Sequence, residues 1–130
     1  MSKLRLSIFV ILCFGWIGQS WAGYLEGMDA LEKGDYQTAL NEFKPLAQQG
    51  NAVAQYELGI MHDNGEGVEQ NYKAAVKWYR LAAEQGYANA QYNLGAMYRH
   101  GDGVLQDGKQ ALKWYRLAAQ QGNARAQHNL

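Results

Sequence analysis

Apolar residues recur at three- and four-residue spacing along most of this chain. The clearest stretch is 36–49, where the apolar residues share one helical face: Tyr36, Ala39, Leu40, Phe43 and Leu46 or Ala47. This spacing predicts an amphipathic helix with a buried face. Pro45 lies inside the stretch and cannot donate a backbone hydrogen bond to the carbonyl of Asn41, so we expect a kink or a local break there.

Glycines and capping residues divide the rest of the chain into further helices. We predict helices over about 24–33, 36–49, 52–63, 72–85, 88–99 and 109–121, with the start of another after 123. Asp35, Asn51 and Asn123 precede three of them and can accept bonds from free backbone amides of the first turn. Within 72–85 the residues expected to point inward are Tyr72, Ala75, Val76, Tyr79, Ala82 and Ala83. Gly59 removes a side chain where a neighbouring helix can approach closely.

A unit of 36 residues occurs twice in the sequence. Residues 54–89 match residues 90–125 at 22 of 36 positions. A fixed period of this length is typical of helical repeat arrays, in which each unit buries its apolar face by stacking on a neighbour. The sequence therefore predicts an all-α solenoid of antiparallel helix pairs over residues 23–130, with units at about 24–50, 51–86, 87–122 and a partial one at 123–130.

The N-terminal 22 residues have the three parts of a secretory signal. Lys3 and Arg5 form a basic start, residues 6–17 are mainly apolar, and Ser20 and Ala22 supply small residues before a cleavage site. The apolar run is shorter than the roughly 20 residues that span a bilayer. We expect cleavage after Ala22 and a periplasmic or secreted location, with an uncleaved anchor as the alternative.

Removing this segment changes the chemistry that the chain can offer. Of 12 basic residues two leave, while all 12 acidic residues stay, so the net charge becomes 10 − 12 = −2. No basic stripe remains for nucleic acid. Cys13 and all three serines, Ser2, Ser7 and Ser20, also leave. The mature chain then lacks both common nucleophiles, which argues against a serine hydrolase and excludes a thiol nucleophile.

The histidines, the Gly-x-Gly pairs and the tryptophans can be explained by structural roles. His62, His100 and His128 fall at non-equivalent repeat positions without the i, i+4 pairing of metal ligands on one helix, so we expect no metal or acid–base site. The Gly-x-Gly pairs at 65–67 and 101–103 recur as turns between helices, and no strand precedes them as in a phosphate loop. Two tryptophans, Trp78 and Trp114, are expected to pack between adjacent helix pairs. No cofactor is expected.

The repeated motifs resemble a known family. Ala-x-Tyr-x-Leu-Gly-x-Met, then Gly-x-Gly-Val, then Ala-x-x-Trp-Tyr-x-x-Ala-Ala-x-x-Gly occur in both copies at the same spacing. This arrangement resembles the Sel1-like repeat, a relative of the tetratricopeptide repeat, over 51–130 and more weakly over 24–50. The resemblance implies a right-handed α/α superhelix that serves as a protein-interaction scaffold, often in exported bacterial proteins. Some exported members carry a cysteine pair in each repeat and have been given penicillin-binding or weak β-lactamase activity; residues 23–130 contain no cysteine.

The same resemblance suggests where a partner binds. In such superhelices the first helix of each pair lines the concave side, which gives six candidate partner-binding residues: Tyr56, Ile60, Asp63, Tyr92, Ala96 and Arg99. The alternative is that the two tyrosines pack between repeats. We therefore expect an exported, non-enzymatic adaptor for a protein or peptide. The alternatives are a cell-envelope enzyme of the β-lactamase or penicillin-binding kind, and an N-terminal fragment of a longer repeat protein.

Overall fold

Helices are the only regular elements within residues 18–130, the part of the chain that the computed structural model describes. The predicted all-α solenoid is thereby confirmed. The predicted signal segment lies mostly outside the described residues, and its last part, 18–22, is helical. The helices are α1 (18–32), α2 (Tyr36–Gln48), α3 (Ala52–Asn64), α4 (Tyr72–Glu84), α5 (Ala88–His100), α6 (Gly108–Gln120) and α7 (Ala124–His128).

Side chains cap most of these helices at their N-termini. In each case an oxygen accepts a hydrogen bond from a backbone amide of the first turn, which would otherwise lack a partner. The caps are Asp35, Asn51, Asn71, Asp107 and Asn123. The caps predicted at 35, 51 and 123 are therefore confirmed. Helices α3 and α5 are followed by the C-cap residues Gly65 and Gly101, whose left-handed backbone conformation is strained for other residues.

The predicted break at Pro45 is wrong, because α2 continues through it to Gln48. Pro45 lies in the last turn of the helix, so its missing amide removes a single bond. The backbone amide of Gln49 donates to the carbonyl of Pro45 at 3.1 Å and closes the final turn. Pro45 and Asn41 are both exposed, so water can solvate the carbonyl of Asn41 that loses its donor.

Tyr72 is the second correction, since 41% of its surface is exposed rather than buried. It is the first residue of α4 and lies beyond the buried stripe of that helix. Its backbone, not its ring, is covered: a Cβ atom at position 103 would lie 2.5 Å from the carbonyl group of Tyr72. The turn of the following repeat therefore packs on the start of α4, and glycine at position 103 permits this contact.

The tryptophans join neighbouring units, as predicted. Trp78 of α4 packs against the apolar cluster formed by α1, α2 and α3, which includes Phe43 and Leu58. Trp114 of α6 is 8% exposed and belongs to the next cluster, which includes Tyr79 and Leu94 of α4 and α5. Each unit thus places an indole in the core of the unit before it, and this continuity is what stabilises a repeat array.

Buried glutamines also connect the units. The side-chain amide of Gln55 donates to the carbonyl of Ala47 at 3.1 Å, and the amide of Gln85 donates to the side-chain oxygen of Gln55 at 2.8 Å. The next unit repeats both bonds at 3.2 and 2.8 Å through Gln91 and Gln121. These bonds satisfy polar groups that the stacking of helices would otherwise bury without partners.

Candidate functional site

One face of α3 and α5 lies at the edge of the buried core, and its apolar members pack against that core without being fully buried. On each helix its members lie at i, i+3, i+4 and i+7, and most are half-buried. They are Val53, Tyr56, Glu57 and Ile60 on α3, and Asn89, Tyr92, Asn93 and Ala96 on α5. The two sets differ by one repeat period, so the solenoid places them side by side.

A groove of about 450 Å³ lies between α3, α5 and the start of α7. Tyrosine rings, side-chain amides and one guanidinium line it, which gives it both apolar and hydrogen-bonding surface. The lining residues are Tyr56, Asn89, Tyr92, Asn93, Gly122, Asn123, Ala124 and Arg125. The side-chain amide of Asn123 donates to the side-chain oxygen of Asn89 at 3.0 Å and so ties α7 to α5.

The two predicted tyrosines line this groove and also pack on other rings. The ring of Tyr56 lies 5.1 Å from that of Tyr87 and 6.0 Å from that of Tyr79, measured between centroids. The ring of Tyr92 lies 5.5 Å from that of Tyr115. Burial raises the pKa of the Tyr56 hydroxyl. Both tyrosines are half-buried, which leaves part of each ring available to a partner.

The other four predicted residues are not among those that line the groove. Ile60 and Ala96 are half-buried against apolar clusters. Asp63 accepts a hydrogen bond from the hydroxyl of Tyr79 at 3.0 Å, and burial raises the pKa of Asp63. Arg99 is exposed and lines a separate cavity of about 500 Å³ beside α6 and α7.

Glu57 was not predicted and is the unusual group of this face. It is half-buried, and it forms no hydrogen bond or salt bridge with any residue in the range 18–130. Burial raises the pKa of Glu57. Its charge adds to the effect of burial in raising the pKa of Tyr56 and of Tyr87.

The helical period could have identified these additional residues. Glu57 and Asn93 directly follow the predicted tyrosines, and Asn89 precedes Tyr92 by three positions, so all share the tyrosine face. Asp63 and Arg99 were predicted instead, as residues of the first helices one repeat period apart. Tyr87 gave no such signal, since it lies before α5 and reaches Tyr56 only through the stacking of units.

The histidines do not form a site together. Nδ1 of His62 is buried without a hydrogen-bond partner in the described chain, and burial lowers the pKa of this imidazole. His100 and His128 are exposed. Among residues 18–130 no three His, Cys, Asp or Glu side chains are arranged to hold a metal ion. Over the same range, no helix combines the length and the apolar character that crossing a membrane requires.

Comparison with known proteins supports the repeat assignment. The family model for the Sel1 repeat matches residues 52–87 and 88–123. A Sel1 repeat protein from Oxalobacter formigenes is 40% identical with a TM-score of 0.78, over 81% of this chain and 43% of that one. A protective antigen of uropathogenic Escherichia coli strains with an SLR fold is 42% identical with a TM-score of 0.74, over 84% of this chain and 23% of that one.

A third structure shares the fold alone. Helicobacter pylori cysteine rich protein B is 19% identical with a TM-score of 0.68, over 85% of this chain and 94% of that one. No curated protein showed significant similarity. This chain spans less than half the length of the first two proteins. Two consecutive family matches, together with helix pairs that stack through a 36-residue period, show that the chain belongs to the Sel1 repeat family.

Proposed function

We propose that this protein is a non-enzymatic scaffold that binds a protein or peptide segment in the groove between α3, α5 and α7. The observation that carries the proposal is the position of Tyr56 and Tyr92 in one groove beside the amides of Asn89 and Asn93. Tyrosine offers a large contact face with little rotamer entropy to lose. Amides can pair with the backbone of an extended segment, which carries both donors and acceptors.

Sequence chemistry supports binding rather than catalysis. Residues 23–130 contain neither serine nor cysteine, so the usual acyl-transfer nucleophiles are missing from the repeat region. We also propose export with cleavage after Ala22, which rests on the three-part N-terminal pattern. Mass spectrometry of the protein recovered from its native cells tests this point: a chain that begins at Gly23 is expected, and a retained Met1 or Ser2 would contradict it.

A blocked groove tests the binding proposal. Asn89→Arg places a long side chain at the groove, where residue 89 is exposed and outside the core. Gln120→Arg is the control, because it adds the same charge on an exposed position of α6. Envelope extracts are passed over immobilised wild type and both variants, and bound proteins are crosslinked and identified.

We expect a set of bound proteins that is shared by wild type and Gln120→Arg and lost from Asn89→Arg. Loss of the same set from a folded Tyr56→Ala/Tyr92→Ala variant would support the tyrosine contacts. Equal capture by all variants would refute the groove as the binding site. Turnover of a β-lactam by the purified wild type would contradict the non-enzymatic proposal.

A further inference from the structure

We propose that the surface of α6 and α7 binds an amphipathic helix of another protein, which inserts a tryptophan into the cavity of about 500 Å³ on this surface. A glutamine seven residues after that tryptophan donates its side-chain amide to Gln127. The cavity shares no lining residue with the groove between α3, α5 and α7. The inference therefore goes beyond the proposed function and does not depend on it.

The cavity corresponds by repeat position to the places that hold Trp78 and Trp114. Its apolar lining residues are Ala111, Leu112, Tyr115 and Leu130. The residues one repeat period earlier are Ala75, Val76, Tyr79 and Leu94. They share an apolar cluster with Trp114. The residues two periods earlier are Ala39, Leu40, Phe43 and Leu58. They pack together with Trp78. In both clusters the indole comes from the second helix of the next pair.

The apolar cluster of α6 and α7 includes no tryptophan among residues 18–130. Val76 and Leu94, which share a cluster with an indole, are 4% and 0% exposed. The corresponding Leu112 and Leu130 are 37% and 58% exposed. Removing such apolar surface from water favours the docking of an apolar side chain. Cavities of roughly 300–1,000 Å³ hold small-molecule ligands, so this one is large enough for an indole ring.

Gln127 adds a polar contact that points to the same occupant. In the two preceding units the equivalent glutamine accepts a hydrogen bond at 2.8 Å from a glutamine that follows the second helix of its pair. The donors are Gln85 and Gln121. Each follows the tryptophan of its helix by seven residues, about two turns, so both side chains share one face. Gln127 donates to Ala119 in the same way as its equivalents, but its side-chain oxygen accepts no hydrogen bond in the described chain.

The pairing of helices indicates that a single helix is the occupant. Helix α3 packs on α4 and α5 packs on α6, and α7 is the next first helix in this order. A helix that lies beside α7 as α6 lies beside α5 brings its tryptophan to the cavity. Arg99 also lines the cavity, and a guanidinium group is attracted to the face of an indole. This contact favours tryptophan over an aliphatic side chain of similar reach.

A peptide with the sequence of residues 107–122 tests the inference, because it carries tryptophan and glutamine at the required spacing. The peptide is labelled with fluorescein, and its binding to the purified protein is followed by fluorescence anisotropy. Two substituted peptides, Trp114→Ala and Gln121→Met, are measured in the same way. They remove the indole and the amide donor separately.

Three protein variants locate the binding site. Leu112→Glu places a charge in the wall of the cavity at a partly exposed position. Leu105→Glu is the matched control, because Leu105 is 91% exposed and does not line the cavity. Position 105 corresponds to Glu69 in the previous copy, so glutamate is compatible with that position. Gln127→Met removes the proposed amide acceptor.

We expect wild type and Leu105→Glu to bind the unsubstituted peptide at least about tenfold more tightly than the Trp114→Ala peptide, as for a buried aromatic anchor. Leu112→Glu should lose this preference while it keeps its helical circular dichroism. Wild type should bind the Gln121→Met peptide about threefold to tenfold more weakly than the unsubstituted one, the range of one hydrogen bond. Gln127→Met should bind these two peptides equally.

Several results would overturn the inference. It is wrong if wild type binds the unsubstituted peptide no better than the Trp114→Ala peptide, or if folded Leu112→Glu keeps the preference. It is also wrong if Gln127→Met discriminates against the Gln121→Met peptide as wild type does. Sedimentation velocity without peptide tests a second copy as the occupant: a wild-type dimer that becomes a monomer in Leu112→Glu would exclude a foreign helix. The proposed function stands in each case, because Asn89→Arg tests it at a separate surface.

Discussion

The ring of Tyr79 lies directly over Gly59, so closely that a Cβ atom at position 59 would overlap the ring carbons. The same relationship brings Phe43 onto Gly27, where a Cβ atom would lie 2.7 Å from the ring. The glycines remove a side chain from the first helix of each pair, and an aromatic ring of the second helix fills that space. This contact lets α1 approach α2, and α3 approach α4, more closely than a side chain at the glycine position would permit.

Gly59→Ala should therefore destabilise the protein. Alanine favours helix by about 1 kcal/mol over glycine, but its methyl group must displace a fully buried ring, and overpacking typically costs about 1–3 kcal/mol. We expect the overpacking term to prevail, because Tyr79 is only 1% exposed and cannot move into solvent. Urea unfolding followed by circular dichroism measures the change.

Gly108→Ala is the matched control. Position 108 begins α6, and a Cβ atom there would meet nothing within 4 Å. Only the helix-propensity term then applies, so we expect a gain of about 0.5–1 kcal/mol. A similar gain in stability in both variants would show that the contact between Tyr79 and Gly59 does not limit the packing of α3 on α4.

Much of this fold follows from local sequence, and Gly59 illustrates why. Helical periodicity, a missing side chain on the buried face and an asparagine or aspartate cap each act within one turn, so they can be read without tertiary information. The errors arose where solvent or a neighbouring unit decided the outcome. At Pro45, exposure lets water solvate the backbone carbonyl that loses its hydrogen-bond donor. The turn at Gly103 covers the backbone of Tyr72 and leaves its ring exposed.

The candidate site was harder to predict because stacking of units creates it. Tyr56 and Tyr92 follow from the repeat, and both line the groove. Asp63 and Arg99 differ in charge between the copies, yet Asp63 accepts a bond from Tyr79 of its own unit, and Arg99 lines the separate cavity beside α6 and α7. The charge difference between the copies therefore marks neither residue as part of the groove.

Replacing Gln91 with methionine should cost about 1–3 kcal/mol. The change keeps the length of the side chain but leaves the carbonyl of Ala83 and the amide of Gln121 without their present partner in a buried region. The matched control is Gln127→Met, at the equivalent position one period later, where the glutamine is exposed and bonds Ala119. We expect a change below about 0.5 kcal/mol there. Equal changes in the free energy of unfolding, measured in urea for Gln91→Met and Gln127→Met, would show that the buried bonds of Gln91 do not stabilise the stack.

His62 should make the protein less stable in mild acid. Burial lowers the pKa of His62 below its usual 6.5, so the unfolded chain binds the proton first. Stability then falls as pH decreases through 6.5 towards the folded pKa. When the pH is lowered from 7.5 to 5.5, the melting temperature of His62→Gln should fall less than that of wild type. The exposed His100 provides the control His100→Gln, which should follow wild type. Identical losses in all three proteins would contradict the prediction.

Glu57→Gln should raise the melting temperature at pH 7. Glu57 should reduce stability at neutral pH, whereas His62 should reduce it in mild acid. Burial raises the folded pKa of Glu57 above the usual 4.5, so the folded state disfavours the ionised form. The penalty is present above the folded pKa and disappears as pH falls through that value to 4.5, because the folded carboxyl is then protonated. The gain in the variant should therefore vanish below about pH 4.5. The exposed control Glu84→Gln should change little at either pH. A gain that does not depend on pH would show that ionised Glu57 is not the source of the penalty.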